Sequence, residues 1–289
     1  MNSPTLDNDK RALVAFLARY PRLVVLTGAG ISIDSGIPAY RDAAGQWRTT
    51  NPIQHRDFVA SASARRRYWA RSWYGWPRIR DAQPNAAHHA LAALEAAGRV
   101  NLLITQNVDG LHQRAGSRAV VDLHGRLDTV HCLTCDHRLA RQQVQTALGT
   151  DNVFPELLLP SPRPDGDMDV DDKLVASLVL PRCKHCGGDL KPDVVFFGGN
   201  VPRPRVERCL QALQEADALL VVGSSLKVFS GFRFCREASR RGLPITIVNP
   251  GATRGDELAT HLLRCAAGPL LTAAAASLGK ASTPDVLLD

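Results

Sequence analysis

Leu23-Val24-Val25-Leu26-Thr27-Gly28-Ala29-Gly30 is an unbroken apolar run that ends in Gly-x-Gly. Such a run suits a parallel strand buried on both faces. Glycines at its carboxyl end let backbone amides approach a phosphate, with a helix N-terminus behind them. A tight turn with no ligand is the plain alternative. The usual dinucleotide fingerprint has a third glycine at position 33, where this chain has Ile33. The loop continues as Ser32-Ile33-Asp34-Ser35-Gly36-Ile37-Pro38-Ala39-Tyr40-Arg41, rich in hydroxyls and ending in a cation.

Outward from this turn, strand-like runs at Val100–Thr105, Val120–Leu123, Ala218–Gly223 and Ile245–Asn249 alternate with helical stretches. Helices are predicted at Asp9–Arg19, Ala86–Ala97, Val206–Glu215, Gly231–Arg241 and Asp256–Leu263. The alternation implies an α/β fold with a doubly wound, Rossmann-like parallel sheet, in which ligands collect at the carboxyl ends of strands. Gly28, Gln106, Gly223 and Asn249 all fall there. Two stretches interrupt the rhythm. Residues 42–84 hold all four tryptophans among arginines and read as a helical insertion, and residues 126–191 hold two cysteine pairs. The Rossmann-like, dinucleotide-binding domain is thus expected over 1–41, 85–125 and 192–275, with an alanine-rich tail that frays over 276–289. Phe154–Asp172, dense in proline and acid, reads as a loop.

Net charge is +7, mostly from arginine. The basic clusters are short, as on solvated helix faces, so direct nucleic-acid binding is not expected, and the balance is compatible with attraction to phosphate-bearing cofactors or acidic protein substrates. No apolar run approaches the roughly 18 residues of a membrane span. The polar first ten residues lack a signal-peptide pattern, so the expected compartment is the cytoplasm. Seven cysteines without such a signal argue against a disulfide framework. Cys132/Cys135 and Cys183/Cys186 form two Cys-x-x-Cys knuckles, the arrangement that wraps four thiolates around zinc. Four thiolates close the coordination sphere, so one structural Zn²⁺ is expected, anchoring a module with little core of its own. A redox dithiol is the alternative, disfavoured by the presence of two pairs.

After the second strand comes Gln106-Asn107-Val108-Asp109, suited to ribose hydroxyls and a carboxamide or, equally, to an Asx-type turn. After the third comes His124-Gly125, an imidazole placed to face the crevice as a base near neutral pH. The adjacent His88 and His89 read as packed or exposed side chains.

Gly28-Ala29-Gly30-Ile31-Ser32, Gly36-Ile37-Pro38-Ala39-Tyr40-Arg41, Thr105-Gln106-Asn107-Val108-Asp109 and His124-Gly125 occur in that order. The two cysteine pairs, Lys191-Pro192-Asp193-Val194-Val195-Phe196-Phe197-Gly198 and Gly223-Ser224-Ser225-Leu226 follow. Together they resemble the sirtuin family of NAD-dependent protein deacylases over nearly the whole chain. Arg67–Arg71 and Gly75-Trp76-Pro77 resemble its class II branch, which includes bacterial members.

The resemblance implies a catalytic pair, His124 as general base with Asn107. It implies an NAD site built from Gly28, Ala29, Gly30, Asp34, Tyr40, Arg41, Gln106, Asn107, Asp109, Gly223, Ser224, Ser225, Asn249, Gly251 and Cys265. A buried structural thiol is the competing reading of Cys265. It implies further that Val195, Phe197 and Gly198 pair with the backbone of a protein substrate carrying an acylated lysine. Relatives commonly have an acid after Phe-Phe-Gly, whereas this chain has Gly199 and then Asn200. The implied reaction releases nicotinamide, free lysine and O-acyl-ADP-ribose, deacetylation being the default. ADP-ribosyl transfer to protein and removal of longer, lipoyl-type acyl groups are the related alternatives. An NAD(H) dehydrogenase is disfavoured by Ile33 and by the lack of an acid about 20 residues beyond the loop. A zinc-anchored binding module is disfavoured by the full set of polar crevice residues.

Overall fold

The computed structural model describes residues 4–39, 52–156 and 170–281. The chain begins with α1 (Pro4–Arg19), β1 (Leu23–Thr27), α2 (His55–Ala60), α3 (Ala62–Asp81), α4 (Ala86–Ala96) and β2 (Val100–Thr105). It continues through α5 (Leu111–Arg114), β3 (Val120–Asp122), β4 (Gly125–Cys132), β5 (Arg138–Ala140), α6 (Arg141–Asp151), α7 (Asp172–Ser177) and β6 (Leu190–Val194). It ends with α8 (Arg203–Glu215), β7 (Ala218–Val222), α9 (Phe229–Arg240), β8 (Ile245–Val248), β9 (His261–Leu263) and α10 (Ala267–Ala281).

Six strands form one sheet in the order β3-β2-β1-β7-β8-β9, and every neighbour pair is parallel. All residues of β1, β7 and β8 are buried, because helices cover both faces. Leu13, Leu17, Leu91, Leu94 and Leu271 of α1, α4 and α10 pack on one face. Leu213, Phe234, Cys235 and Ala238 of α8 and α9 pack on the other. Each such side chain contributes about 1.5–3 kcal/mol on burial, which is why continuous apolar runs mark these strands. The order reverses between β1 and β7, and this opens a crevice at their carboxyl ends.

The predicted helix over Asp256–Leu263 is replaced by a 3₁₀ turn at Asp256–Leu258 and strand β9. The Asp256 carboxylate accepts from the Thr253 hydroxyl at 2.7 Å, closing the turn. The Thr260 amide then donates to the Ile245 carbonyl at 2.7 Å, drawing the chain onto the edge of β8. Tertiary pairing outweighs the local pattern. The C-terminus also differs from expectation: α10 runs on through Ala281 rather than fraying from residue 276. Leu270, Leu271 and Ala274 are buried in the core beside α1 and α4.

A smaller lobe holds the antiparallel sheet β5-β4-β6. Helices α6 and α7 lie in the connection between the cysteine pairs, on either side of the expected loop, and Asp172, expected in that loop, begins α7. Phe58, Tyr68 and Trp69 of α2 and α3 share one core with Val130, Val144, Leu148 and Leu190. Both excursions from the main sheet therefore pack as one body. No helix among the described residues is long and apolar enough to cross a membrane.

Candidate active site

The loops after β1 and β7 interlock through glycine. The Gly30 amide donates to the Gly223 carbonyl at 2.8 Å. A Cβ on Gly30 would stand 2.7 Å from that oxygen, and one on Gly223 would stand 2.4 Å from the Ile31 nitrogen. Gly223 also has φ of +60°, a left-handed conformation that disfavours side chains. The segment behind Gly-x-Gly is a 3₁₀ turn, Ala29–Ser35, rather than the start of a long α-helix. Gly36, at φ of 80°, terminates it, and Pro38 follows, so the loop leaves the sheet where a longer helix would have packed against it. From α4, the capping residue Asn85 holds this turn by donating to the Ile31 carbonyl at 2.7 Å and the Ser35 hydroxyl at 2.9 Å.

A cavity of about 690 Å³ opens above these loops. Gly28, Ala29, Gly30 and Asp34 line it from the β1 side, and Gln106, Asn107 and His124 line its centre. Gly223, Ser224, Ser225, Asn249 and Gly251 line the β7–β8 side, while Val195, Phe197 and Gly198 form the wall beyond β6. Gln106 Nε2 donates to the Ser224 hydroxyl at 2.7 Å, fastening the β2 loop to the β7 loop. Asn107 Nδ2 donates to the Gly28 carbonyl at 3.2 Å and to the Ser32 hydroxyl at 3.0 Å.

Asp109 sits one layer behind. It accepts from the Ser32 hydroxyl at 2.8 Å and from the Leu111 amide at 3.0 Å. Burial raises its pKa against these hydrogen bonds. Asn249 donates to the Gly251 carbonyl at 2.7 Å, shaping the β8 loop. Cys265 does not join the cavity wall. It packs against the α1–α10 core, where burial and the neighbouring Asp9 raise its thiol pKa to about 11. Tyr40 and Arg41 lie outside the described residues.

His124 is fixed from both sides. Its Nδ1 lies 2.9 Å from the Gln106 carbonyl, an acceptor, so Nδ1 carries the proton. Nε2 is left with its lone pair and lies 2.7 Å from the Ser230 hydroxyl at the start of α9. Burial lowers the pKa of the ring; the Gln106 contact opposes this, and Arg205 and Arg233 add to it. An imidazole held in this way is neutral at pH 7 and can accept a proton at Nε2. Its own carbonyl accepts from the Val195 amide at 2.8 Å, tying it to the β6 wall. Gly125 makes this tie possible, since a Cβ there would stand 1.8 Å from the Asp193 carbonyl oxygen.

Sequence reasoning missed Ser230 and Arg233, which also line the cavity. The available signal was Ser230-Gly231 opening a helix after the Gly-Ser-Ser loop. A Cβ on Gly231 would stand 2.5 Å from Gln106 Oε1, so glycine lets this helix approach the β2 loop.

In the smaller lobe the sulfurs of Cys132, Cys135, Cys183 and Cys186 all lie within 4.8 Å of one another. Three of the separations are 3.3, 3.5 and 3.8 Å. Tetrahedral zinc with Zn–S bonds of about 2.3 Å sets its ligand sulfurs roughly 3.8 Å apart, so this donor set fits zinc. Gly188 closes the second knuckle where a Cβ would stand 2.8 Å from Cys132 Sγ.

The Sir2 family model matches residues 28–230, from the glycine turn through Ser230. The chain belongs to the Sir2 family. Within that family it is 56% identical over 253 residues to an NAD-dependent protein deacetylase of Xanthomonas axonopodis pv. citri, covering 88% of this chain and 86% of that protein. It is 45% identical to the NAD-dependent protein deacylase Sirt4 of Drosophila melanogaster, over 93% of this chain and 88% of the relative. The solved Sir2 complex with p53 peptide and NAD⁺ superposes with a TM-score of 0.75 at 28% identity, covering 93% of this chain and 98% of that one. As a Sir2-family protein, the chain thus retains the family architecture over both its sheet and its smaller lobe.

Proposed function

We propose that this chain is an NAD-dependent protein-lysine deacylase, with deacetylation as its default activity, acting in the cytoplasm on acylated protein lysines. The observation that carries the reading is the orientation of His124 at the centre of the cavity. Its proton is committed to Gln106, and its basic nitrogen lies 2.7 Å from the hydroxyl of Ser230, which lines the cavity with it. Bound NAD would supply an electrophilic ribose carbon with nicotinamide as its leaving group.

The chain's residues supply the remainder. Gly28, Ala29 and Gly30 leave room for a phosphate chain, with Gly223, Ser224 and Ser225 opposite it. Gln106 and Asn107 present amides at the cavity centre, where they orient the nicotinamide and its ribose. His124 Nε2 takes a proton from a ribose hydroxyl, so that this oxygen attacks the acyl carbon; water then adds to that carbon, the lysine amine leaves, and the acyl group stays on the ribose. The wall from Val195 to Gly198 offers backbone groups to an extended polypeptide, in the manner of an added strand. The cysteine site, holding zinc, keeps β4 and β6 together beneath that wall. The Arg67–Arg71 segment and Gly75-Trp76-Pro77 support placement in the class II branch.

The test is incubation of the purified protein with NAD and an acetyl-lysine peptide. Stoichiometric free nicotinamide, deacylated peptide and O-acetyl-ADP-ribose are expected. NADH, ADP-ribosylated protein without deacylation, or no product would each reject the reading.

A further inference from the structure

Arg233 occupies an unusual position for a guanidinium. It lines the same cavity as His124, one helical turn beyond Ser230 on α9, and lies close enough to His124 to act on it electrostatically. Its Nε is buried and has no hydrogen-bond partner. Among the described residues it makes no ion pair; its recorded contact is the Phe229 ring, 5.3 Å from the guanidinium carbon. A guanidinium laid on an aromatic ring keeps its edge free and in fixed orientation, the geometry that receives a carboxylate in bidentate fashion.

The protein itself offers no such carboxylate there. Asp34 is the one acid among the described residues lining the cavity. Its Oδ2 lies 3.5 Å from where a Cβ of Gly268 would stand, at the α10 side. The opposite wall ends in Phe197-Gly198-Gly199-Asn200, again without an acid. Lys227 lines the cavity just before α9 and adds a second positive charge on the same side. Between Lys227 and Arg233 lie Val228 and Phe229, 41% and 47% exposed, so this wall borders the mouth of the crevice. This wall, Val195–Gly198 and His124 line the same cavity, so on the deacylase reading a polypeptide bringing its modified lysine to His124 enters between the two walls.

We infer that Arg233 is a specificity subsite for the carboxylate of an aspartate or glutamate flanking the acylated lysine, so that the preferred substrates are acidic sequences. The inference rests on the deacylase reading and names its substrate class. The carboxylate pairs with the guanidinium edge and satisfies the buried Nε–H. A charge-assisted pair of this kind corresponds to about a tenfold preference.

The experiment uses labelled acetyl-lysine peptides with Glu, Ala or Lys at the neighbouring positions. Direct binding is measured by fluorescence anisotropy, and kcat/KM by nicotinamide release. Wild type is expected to bind Glu-flanked peptide about tenfold tighter than Ala-flanked peptide, the effect residing in KM. Arg233→Met should bring the Glu/Ala ratio to about one, and Arg233→Glu should favour the Lys-flanked peptide. Each ratio is taken within one enzyme, so a general loss of activity cancels. Arg236→Met, an exposed position on the same helix, should keep the wild-type ratio. Equal binding of Glu- and Ala-flanked peptides by wild type overturns the inference. So does an Arg233→Met effect confined to the KM for NAD, or confined to succinyl-lysine peptides whatever their flanks. Because binding is read without turnover, an enzyme that prefers acidic peptides yet releases no nicotinamide would reject the deacylase reading alone.

Discussion

His124 donates from Nδ1 to the carbonyl of Gln106 at 2.9 Å, while the Gln106 side chain donates to Ser224 at 2.7 Å. One residue therefore sets both the tautomer of the base and the distance between the β2 and β7 loops. The base and the glycine cradle are thus tied to the same residue.

His124→Ala is expected to lower deacetylation by 10²–10⁴-fold, the usual contribution of a general base. NAD binding, followed by calorimetry, should persist. Because burial holds the imidazole below its ordinary pKa of 6.5, the acid limb of the wild-type kcat/KM profile should lie below that value. Activity is lost as pH falls through the lowered pKa, where Nε2 becomes protonated. An acid limb above 6.5, or wild-type turnover by the variant, would remove His124 from the role.

One zinc per chain is expected by elemental analysis of the reduced protein. Cys183→Ser should release it and lower the melting temperature, since structural zinc contributes folding energy directly. The damage should reach α3 as well, because Cys132 and Cys183 share a core with Tyr68 and Trp69. Metal-free protein with unchanged stability would contradict this.

Acetyl or longer neutral acyl groups are expected to be processed better than succinyl. Tyr68 is buried against Phe58, Trp69 and Phe196, and neither Tyr68 nor Arg71 lines the 690 Å³ cavity. Matched acetyl-, fatty-acyl- and succinyl-lysine peptides, with wild type and Arg71→Met, provide the comparison. Succinyl turnover that dominates in wild type and collapses in the variant would make Arg71 the specificity residue.

Acid should destabilise the fold through His88 and His112. Both are buried, with ring centroids 4.8 Å apart. Burial lowers the pKa of His88 to about 4, with His89 adding to it, and that of His112 well below 6.5, with His88 adding to it. Between the folded and unfolded values the unfolded chain binds more protons, so stability present above pH 6.5 is lost as pH falls toward 4. For His88 the shift corresponds to roughly 3 kcal/mol. Melting temperatures from pH 7.5 to 4.5 should drop steeply in wild type and less steeply in His88→Asn. Parallel curves would show that other groups control acid unfolding.

The sheet was legible because β1, β2, β7 and β8 are apolar runs whose partners bury them on both faces. The edge strand β9 was not. Its three residues include two exposed ones, and only the pairing with β8 makes them a strand. The crevice was legible where chemistry sits at strand ends, as with Gln106, Asn107 and His124. Ser230 and Arg233 escaped because they lie within a helix, where serine and arginine read as solvent-facing. For Cys265 the resemblance implied the NAD site and the residue type a buried thiol; its side chain lies against the core beside Asp9.

The pairing of β1 with β7 joins Leu23 to Ala218 and Thr27 to Val222. These are the two central strands, and the crevice opens at their ends. During synthesis β1 emerges early and must wait until nearly 200 further residues have left the ribosome before its central neighbour exists. Closing so long a loop is entropically costly, and it delays the seam relative to local contacts. Until then the apolar strand ending in Thr27 has one face of its sheet unfinished. Activity therefore requires synthesis to pass β7: a nascent or truncated product ending before residue 218 cannot possess the crevice.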